Sequence, residues 1–153
     1  MKKDYWEDCQ PGERGTTAAR TVTEADVVAF ASLSGDWNAI HTDAEFARTT
    51  AIGERIAHGF LVLSISSGLR WQGGQDVMPR STLALVGVEA VRFLLPVRLG
   101  DTIRVDWQLA RRDEIDAARG TLTFDNRVVN QRGELVVSYG SSLLVGRRPR
   151  EAR

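Results

Sequence analysis

The chain has one cysteine, four prolines and two histidines in 153 residues. A lone Cys9 cannot close an internal disulfide, and with only two histidines beside it the chain lacks the ligands of a four-coordinate structural zinc site, so no metal is expected. This cysteine usage reads as a reducing compartment, and the expected localisation is cytoplasmic. Net charge is also missing: 20 basic and 20 acidic side chains cancel. No global field would therefore draw the chain to a polyanion, and neither nucleic acid nor membrane is expected as a partner. Long apolar runs are absent as well. The stretch from Phe60 to Leu69 is interrupted by Ser64, Ser66 and Ser67 and falls short of the ~20 residues that span a bilayer. The first residues carry Lys2 and Lys3 and then turn acidic at Asp4, Glu7 and Asp8, unlike the apolar core of a signal peptide.

What is present is enough apolar material, 42% of residues, for one self-sufficient core. A chain of this length buries roughly 70% of the surface that its unfolded form exposes, and a single domain over residues 1–153 is expected. Residues 1–20 are polar and carry little signal beyond a short strand ending at Arg20. Thr23 reads as a helix N-cap, with Glu24 and Asp26 placing negative charge in the first turn, where free N–H groups favour it. Val27, Phe30 and Ala31 then share a face, and Ser34-Gly35 stops the helix. A second short helix is expected from Asp43 to Thr49, burying Phe46 and Ala47. The stretch Gly59 to Trp71 is apolar or small on every side, which predicts a central helix buried all round.

Beyond Pro79 the composition shifts to strands. In Leu83 to Ala90 both alternating sets are largely apolar, as in a strand covered on both faces or lying in an interface. Residues 102–146 alternate with the period of half-buried strands and read as a three-stranded antiparallel meander, with a turn at Asn130 to Gly133. The Arg147-Arg148-Pro149-Arg150 tail is expected to be solvated. Helices first, one buried helix, then a long-stranded antiparallel sheet is an α+β organisation without βαβ alternation.

The chemistry concentrates between the first two helices, where Asp36, Asn38 and His41 place a carboxylate, an amide and an imidazole in one short loop. Asp and His can form an acid/base pair, the imidazole titrating near working pH. As loop residues the same three could equally be a turn former, an Asx turn and a surface histidine. The second histidine, in His58-Gly59, falls at the start of the central helix. Unpaired backbone N–H groups there can stabilise a developing oxyanion. His58 and Phe60 flank that amide and are candidates for substrate contact, with the main weight on the Gly59 N–H.

The run Phe30-Ala31-Ser32-Leu33-Ser34-Gly35-Asp36-Trp37-Asn38-Ala39-Ile40-His41, followed by Ala57-His58-Gly59-Phe60, resembles the hydratase motif of MaoC-like dehydratases, the (R)-specific enoyl-CoA hydratases of the hot-dog fold. The resemblance is close over residues 23–70. It implies a long antiparallel sheet wrapped around a central helix, with a helical overhang carrying the catalytic loop. It further implies that Asp36 and His41 activate the water added to C3 of a trans-2-enoyl thioester, and that the Gly59 amide binds the thioester oxygen. Asn38 and Ser67 would support the pair. No cofactor is implied, since coenzyme A is part of the substrate. Ala39 stands where the family pattern has proline, which leaves the loop less constrained.

Two other functions remain in view at this point: acyl-CoA thioester hydrolysis on the same fold, and a non-catalytic acyl-thioester-binding subunit. The expected partner is an acyl-CoA thioester, and the two-sided apolar strand suggests a homodimer or a dimer of dimers. The loop from Gln72 to Ser81 is expected to shape the acyl pocket.

Overall fold

A computed structural model describes residues 2–73 and 78–149. It contains a short 3-10 turn at Trp6–Asp8, then β1 (Arg14–Thr16), β2 (Arg20–Thr21), α1 (Glu24–Ser34), α2 (Ala39–Thr42), α3 (Ala44–Arg48), α4 (Gly59–Gln72), β3 (Thr82–Phe93), β4 (Thr102–Glu114), β5 (Arg119–Val129) and β6 (Leu135–Gly146). All strand pairings are antiparallel, in the order β1-β4-β5-β6-β3, with β2 pairing the start of β4. The meander expected over residues 102–146 is thus β4, β5 and β6.

Local chemistry explains the helix boundaries. The Thr23 hydroxyl accepts from the Asp26 N–H, and the Asp26 carboxylate accepts from the Thr23 N–H at 2.8 Å, a reciprocal capping box. Gly35 ends α1 at φ 77°, a left-handed conformation in which glycine is unpenalised. Asp43 caps α3, its carboxylate accepting from the N–H groups of Glu45 and Phe46. Alternation along the strands sends Ile103, Val105, Trp107 and Leu109 from β4, and Leu122, Phe124 and Val128 from β5, into the interior. Leu61, Val62, Ile65 and Leu69 of α4 join Ile103, Val105 and Val128 from one helix face. A sheet curved around one helix is the hot-dog arrangement, and the chain is α+β.

Several expectations need correction. The central helix is buried on one side only. Phe60 and Trp71 are exposed, as are Ser64 and Gly68, because a single sheet covers a single helix face. In β3, Leu83, Leu85, Val86 and Val88 are exposed, since β3 is the edge strand of the sheet rather than an inner one. Phe46 is exposed while Ala47 is buried, α3 being too short to turn both inward. The first 20 residues hold more structure than their polarity suggested. Trp6 lies in the core, and β1 pairs with β4. The basic tail is anchored where it is described: Arg147 bridges Glu7 at 3.1 Å and Glu114 at 2.6 Å and lies over Trp6, and Arg148 pairs with Asp8 at 2.8 Å. Arg150 and residues 74–77 of the Gln72–Ser81 loop lie outside the described residues.

The interior divides into two clusters. One joins α1, α4 and the β4–β6 strands through Val27, Ile65, Ile103 and Val128. The other gathers Trp6, Cys9, Met78, Trp107, Leu109, Leu122, Phe124, Leu143 and Val145. Leu122→Ala, at a side chain with no exposed surface, should cost about 2–5 kcal/mol in urea unfolding. Cys9 is 1% exposed, and burial pushes its thiol up to about 11. It should therefore resist DTNB in the native protein at pH 8 and react within the unfolded one.

Candidate active site

The loop from Gly35 to His41 is held by its own side chains. Asp36 is exposed, and its carboxylate accepts from the Asn38 N–H at 3.2 Å. Asn38 in turn caps α2, its side-chain oxygen accepting from the Ile40 N–H at 3.1 Å. The connection read from sequence as a short loop therefore contains a turn of helix, α2, on which His41 sits. Asn38 is linked to His41 through the backbone of α2, the helix it caps.

Two carbonyls fix the histidines. His41 Nδ1 lies 2.7 Å from the Ile56 carbonyl and must donate to it, which leaves Nε2 as the basic nitrogen of the neutral ring. His58 Nε2 lies 2.9 Å from the Asp36 carbonyl and donates likewise, tying the loop to the head of α4. The two rings stack with centroids 3.8 Å apart, and Phe30 backs His58 at 5.0 Å. One ligand-type atom each from Asp36, His41 and His58 falls within 4.8 Å of the others. His58 is 2% exposed, and its Nδ1 has no hydrogen-bond partner.

Helix α4 begins at Gly59 with His58 as its N-cap and no side-chain cap, so first-turn N–H groups remain available. Gly59 and His41 line one cleft of about 420 Å³, walled by Ile56, Phe60, Val62, Phe93, Leu94, Pro96 and Val137. A Cβ on Gly59 would stand 2.8 Å from Cε1 of Phe93, so any larger residue there would push that ring aside. The same bareness leaves its amide approachable.

Six of the seven candidate residues are thus gathered at the head of α4: Asp36, Asn38, His41, His58, Gly59 and Phe60. Ser67 is not with them. It lines a second cleft farther along α4, and among the described residues it forms no hydrogen bond to the Asp36/His41 pair. The serine of α4 with a buried hydrogen bond to another side chain is Ser66, whose hydroxyl meets that of Tyr139 at 3.0 Å. Sequence reasoning passed over Ser66, Tyr139 and Arg70; Arg70 alone left a signal, as the one cation in an otherwise neutral helix.

A carboxylate and two imidazoles thus stand beside the uncapped N-terminus of a buried-face helix. The MaoC like domain matches residues 9–130, and the chain belongs to that family. Over 114 residues it is 38% identical to the (R)-specific enoyl-CoA hydratase of Aeromonas caviae, a match covering 74% of this chain and 79% of that protein. Over 103 residues it is 43% identical to Protein MaoC of Klebsiella aerogenes, covering 67% of this chain but only 30% of that longer protein. Among solved structures, a monoamine oxidase regulatory protein of Archaeoglobus superposes with a TM-score of 0.90 at 40% identity, covering 97% of this chain and 98% of the other.

His58→Ala would remove both the tie to the Asp36 carbonyl and the stacking under His41. A loss of about 1–3 kcal/mol in denaturant unfolding is expected, as for other buried hydrogen-bonded groups.

Proposed function

We propose that the chain catalyses the reversible hydration of a trans-2-enoyl-CoA to an (R)-3-hydroxyacyl-CoA. The observation that carries this reading is that His41 and the free N–H of Gly59 line the same cleft while Asp36 stands beside His41. Water addition across an α,β-unsaturated thioester needs a base for water, a proton for C2 and a sink for charge on the carbonyl oxygen. His41 Nε2, unengaged because Nδ1 is held by Ile56, is placed to take the proton from water. Asp36 orients that water, and the proton taken up by His41 is delivered to C2 as the hydroxyl bonds to C3. The Gly59 N–H donates to the thioester oxygen as enolate-like charge develops on it. Neither metal nor redox cofactor enters the sequence of steps. CoA arrives with the substrate, its phosphates requiring arginines near the cleft mouth.

The supporting observations extend to assembly. The open face of α4 and the edge strand β3 leave Phe60, Trp71, Leu85, Val88 and Phe93 exposed together, an apolar surface too large for an isolated soluble chain. A homodimer, or a dimer of dimers, is the proposed state. Among the described residues no helix is long and apolar enough to cross a membrane.

Crotonyl-CoA hydration, followed by loss of absorbance with chiral analysis of the product, tests the reaction. Asp36→Asn and His41→Ala, each checked by circular dichroism, should lower kcat by about a hundredfold or more. Wild-type turnover in either folded variant would sink the assignment. Thiol release without loss of the double bond would mark a thioesterase instead, and acyl-CoA binding with no turnover would mark a non-catalytic subunit. Light scattering should give at least twice the mass of one chain; a single-chain mass would overturn the dimer.

A further inference from the structure

Arg70 is the least satisfied charge among the described residues. It is 3% exposed, and none of its three guanidinium nitrogens has a hydrogen-bond partner. Two aromatic faces lie against it: the guanidinium is 4.3 Å from the ring centroid of Trp107 and 4.6 Å from that of Phe124. Burial pulls its pKa down to about 10, partly countered by Tyr139, so it is still a cation at neutral pH. Removing a guanidinium from water costs several kcal/mol even after relaxation, and two ring faces return only a part of that. Five N–H donors are left without acceptors.

The surroundings are those of a prepared site. Arg70 lines a cleft of about 360 Å³ together with Ser64, Ser67, Tyr139 and Ser141, on an apolar frame that includes Leu63, Trp71 and Leu143. Behind it runs a polar seam in which Ser66 bonds to the Tyr139 hydroxyl and Asn126 to Ser141. This cleft and the one that holds His41 and Gly59 are both bounded by α4, β3 and β6, each nearer one end of the helix. Arg70 follows Gly59 by eleven positions, about 16 Å of helix rise. A thioester with its carbonyl at the Gly59 amide and its chain laid along α4 would deliver its far end to Arg70.

We propose that Arg70 receives an anionic tail, and that the substrates are CoA thioesters of 2-enedioic acids, whose distal carboxylate pairs with this guanidinium. The inference rests on the hydration reading for the position of the thioester, but the Arg70 site stands on its own burial and lack of partners. A planar carboxylate matches the guanidinium fork, and the serine and tyrosine hydroxyls supply further donors. A neutral alkyl tail would leave the cation unpaired, so selectivity follows from the same desolvation that makes Arg70 costly.

The test uses the intact protein and length-matched pairs. Kcat/KM is measured for trans-2-enoyl-CoAs with and without an ω-carboxylate over a series of chain lengths. In parallel, calorimetry gives Kd for suberyl-CoA against octanoyl-CoA, which cannot be hydrated. A charge-assisted pair should favour the carboxylated member by about tenfold or more at the best length. In Arg70→Leu the carboxylated-to-neutral ratio should fall by a similar factor, and Arg70→Lys should recover part of it. Equal kcat/KM and equal Kd for both members at every length in the wild-type protein would overturn the proposal, as would an unchanged ratio in folded Arg70→Leu. If Arg70→Leu does not fold, the wild-type pairs decide alone. Tighter binding of suberyl-CoA with no hydration of any enoyl-CoA would keep the anion site and sink the hydratase reading. Hydration of neutral and carboxylated chains alike would do the reverse.

Discussion

The seating of α4 against the sheet is the constraint on which everything else depends. Leu61, Val62, Ile65 and Leu69 recur at helical spacing, and each is nearly or wholly buried. Locking that stripe into the curve of β4, β5 and β6 fixes the helix in rotation and along its axis. Its N-terminus is thereby brought to the loop that follows α1, and Arg70 is driven in between Trp107 and Phe124. A rotation of α4 by one residue would separate the Gly59 amide from His41 and turn Arg70 toward solvent.

The loop that carries Asp36 and His41 is tied to its surroundings through backbone carbonyls. Ile56 accepts from His41 and Asp36 from His58, so each ring is oriented and its tautomer set without a buried carboxylate. This tying also offsets the missing proline at Ala39. The rigidity that a fixed φ would lend is supplied by the Asn38 cap of α2 and by the stacking of His41 on His58.

Polar groups in the interior are not scattered. Ser66, Arg70, Asn126, Tyr139 and Ser141 form a seam beside the cleft, while hydrophobic packing continues on either side of it. Most of these groups have partners; Arg70 does not. Each remaining buried hydrogen bond limits how the seam can rearrange, so it is pre-organised rather than adaptable.

How much of this was legible in the sequence depends on the range of the interaction. The caps at Thr23 and Asp43, the stop at Gly35, the extent of α4 and the β4–β6 meander follow from contacts within a few residues or from alternation along one strand. So does the proximity of Asp36, Asn38 and His41. The pairing of that loop with His58-Gly59 came from resemblance, and its physical cause, a hydrogen bond from His58 to the Asp36 carbonyl, spans α2, α3 and the turn between them. What only the tertiary structure decided are contacts between distant segments. The anchoring of Arg147 on Glu7 and Glu114, the edge position of β3 and the one-sided burial of α4 depend on which element lies next to which, and local composition does not encode that. Arg70 is the sharpest case: its sequence context is an ordinary helix end, and the placing of Trp107 and Phe124 on neighbouring strands makes it a buried cation with no hydrogen-bond partner among the described residues.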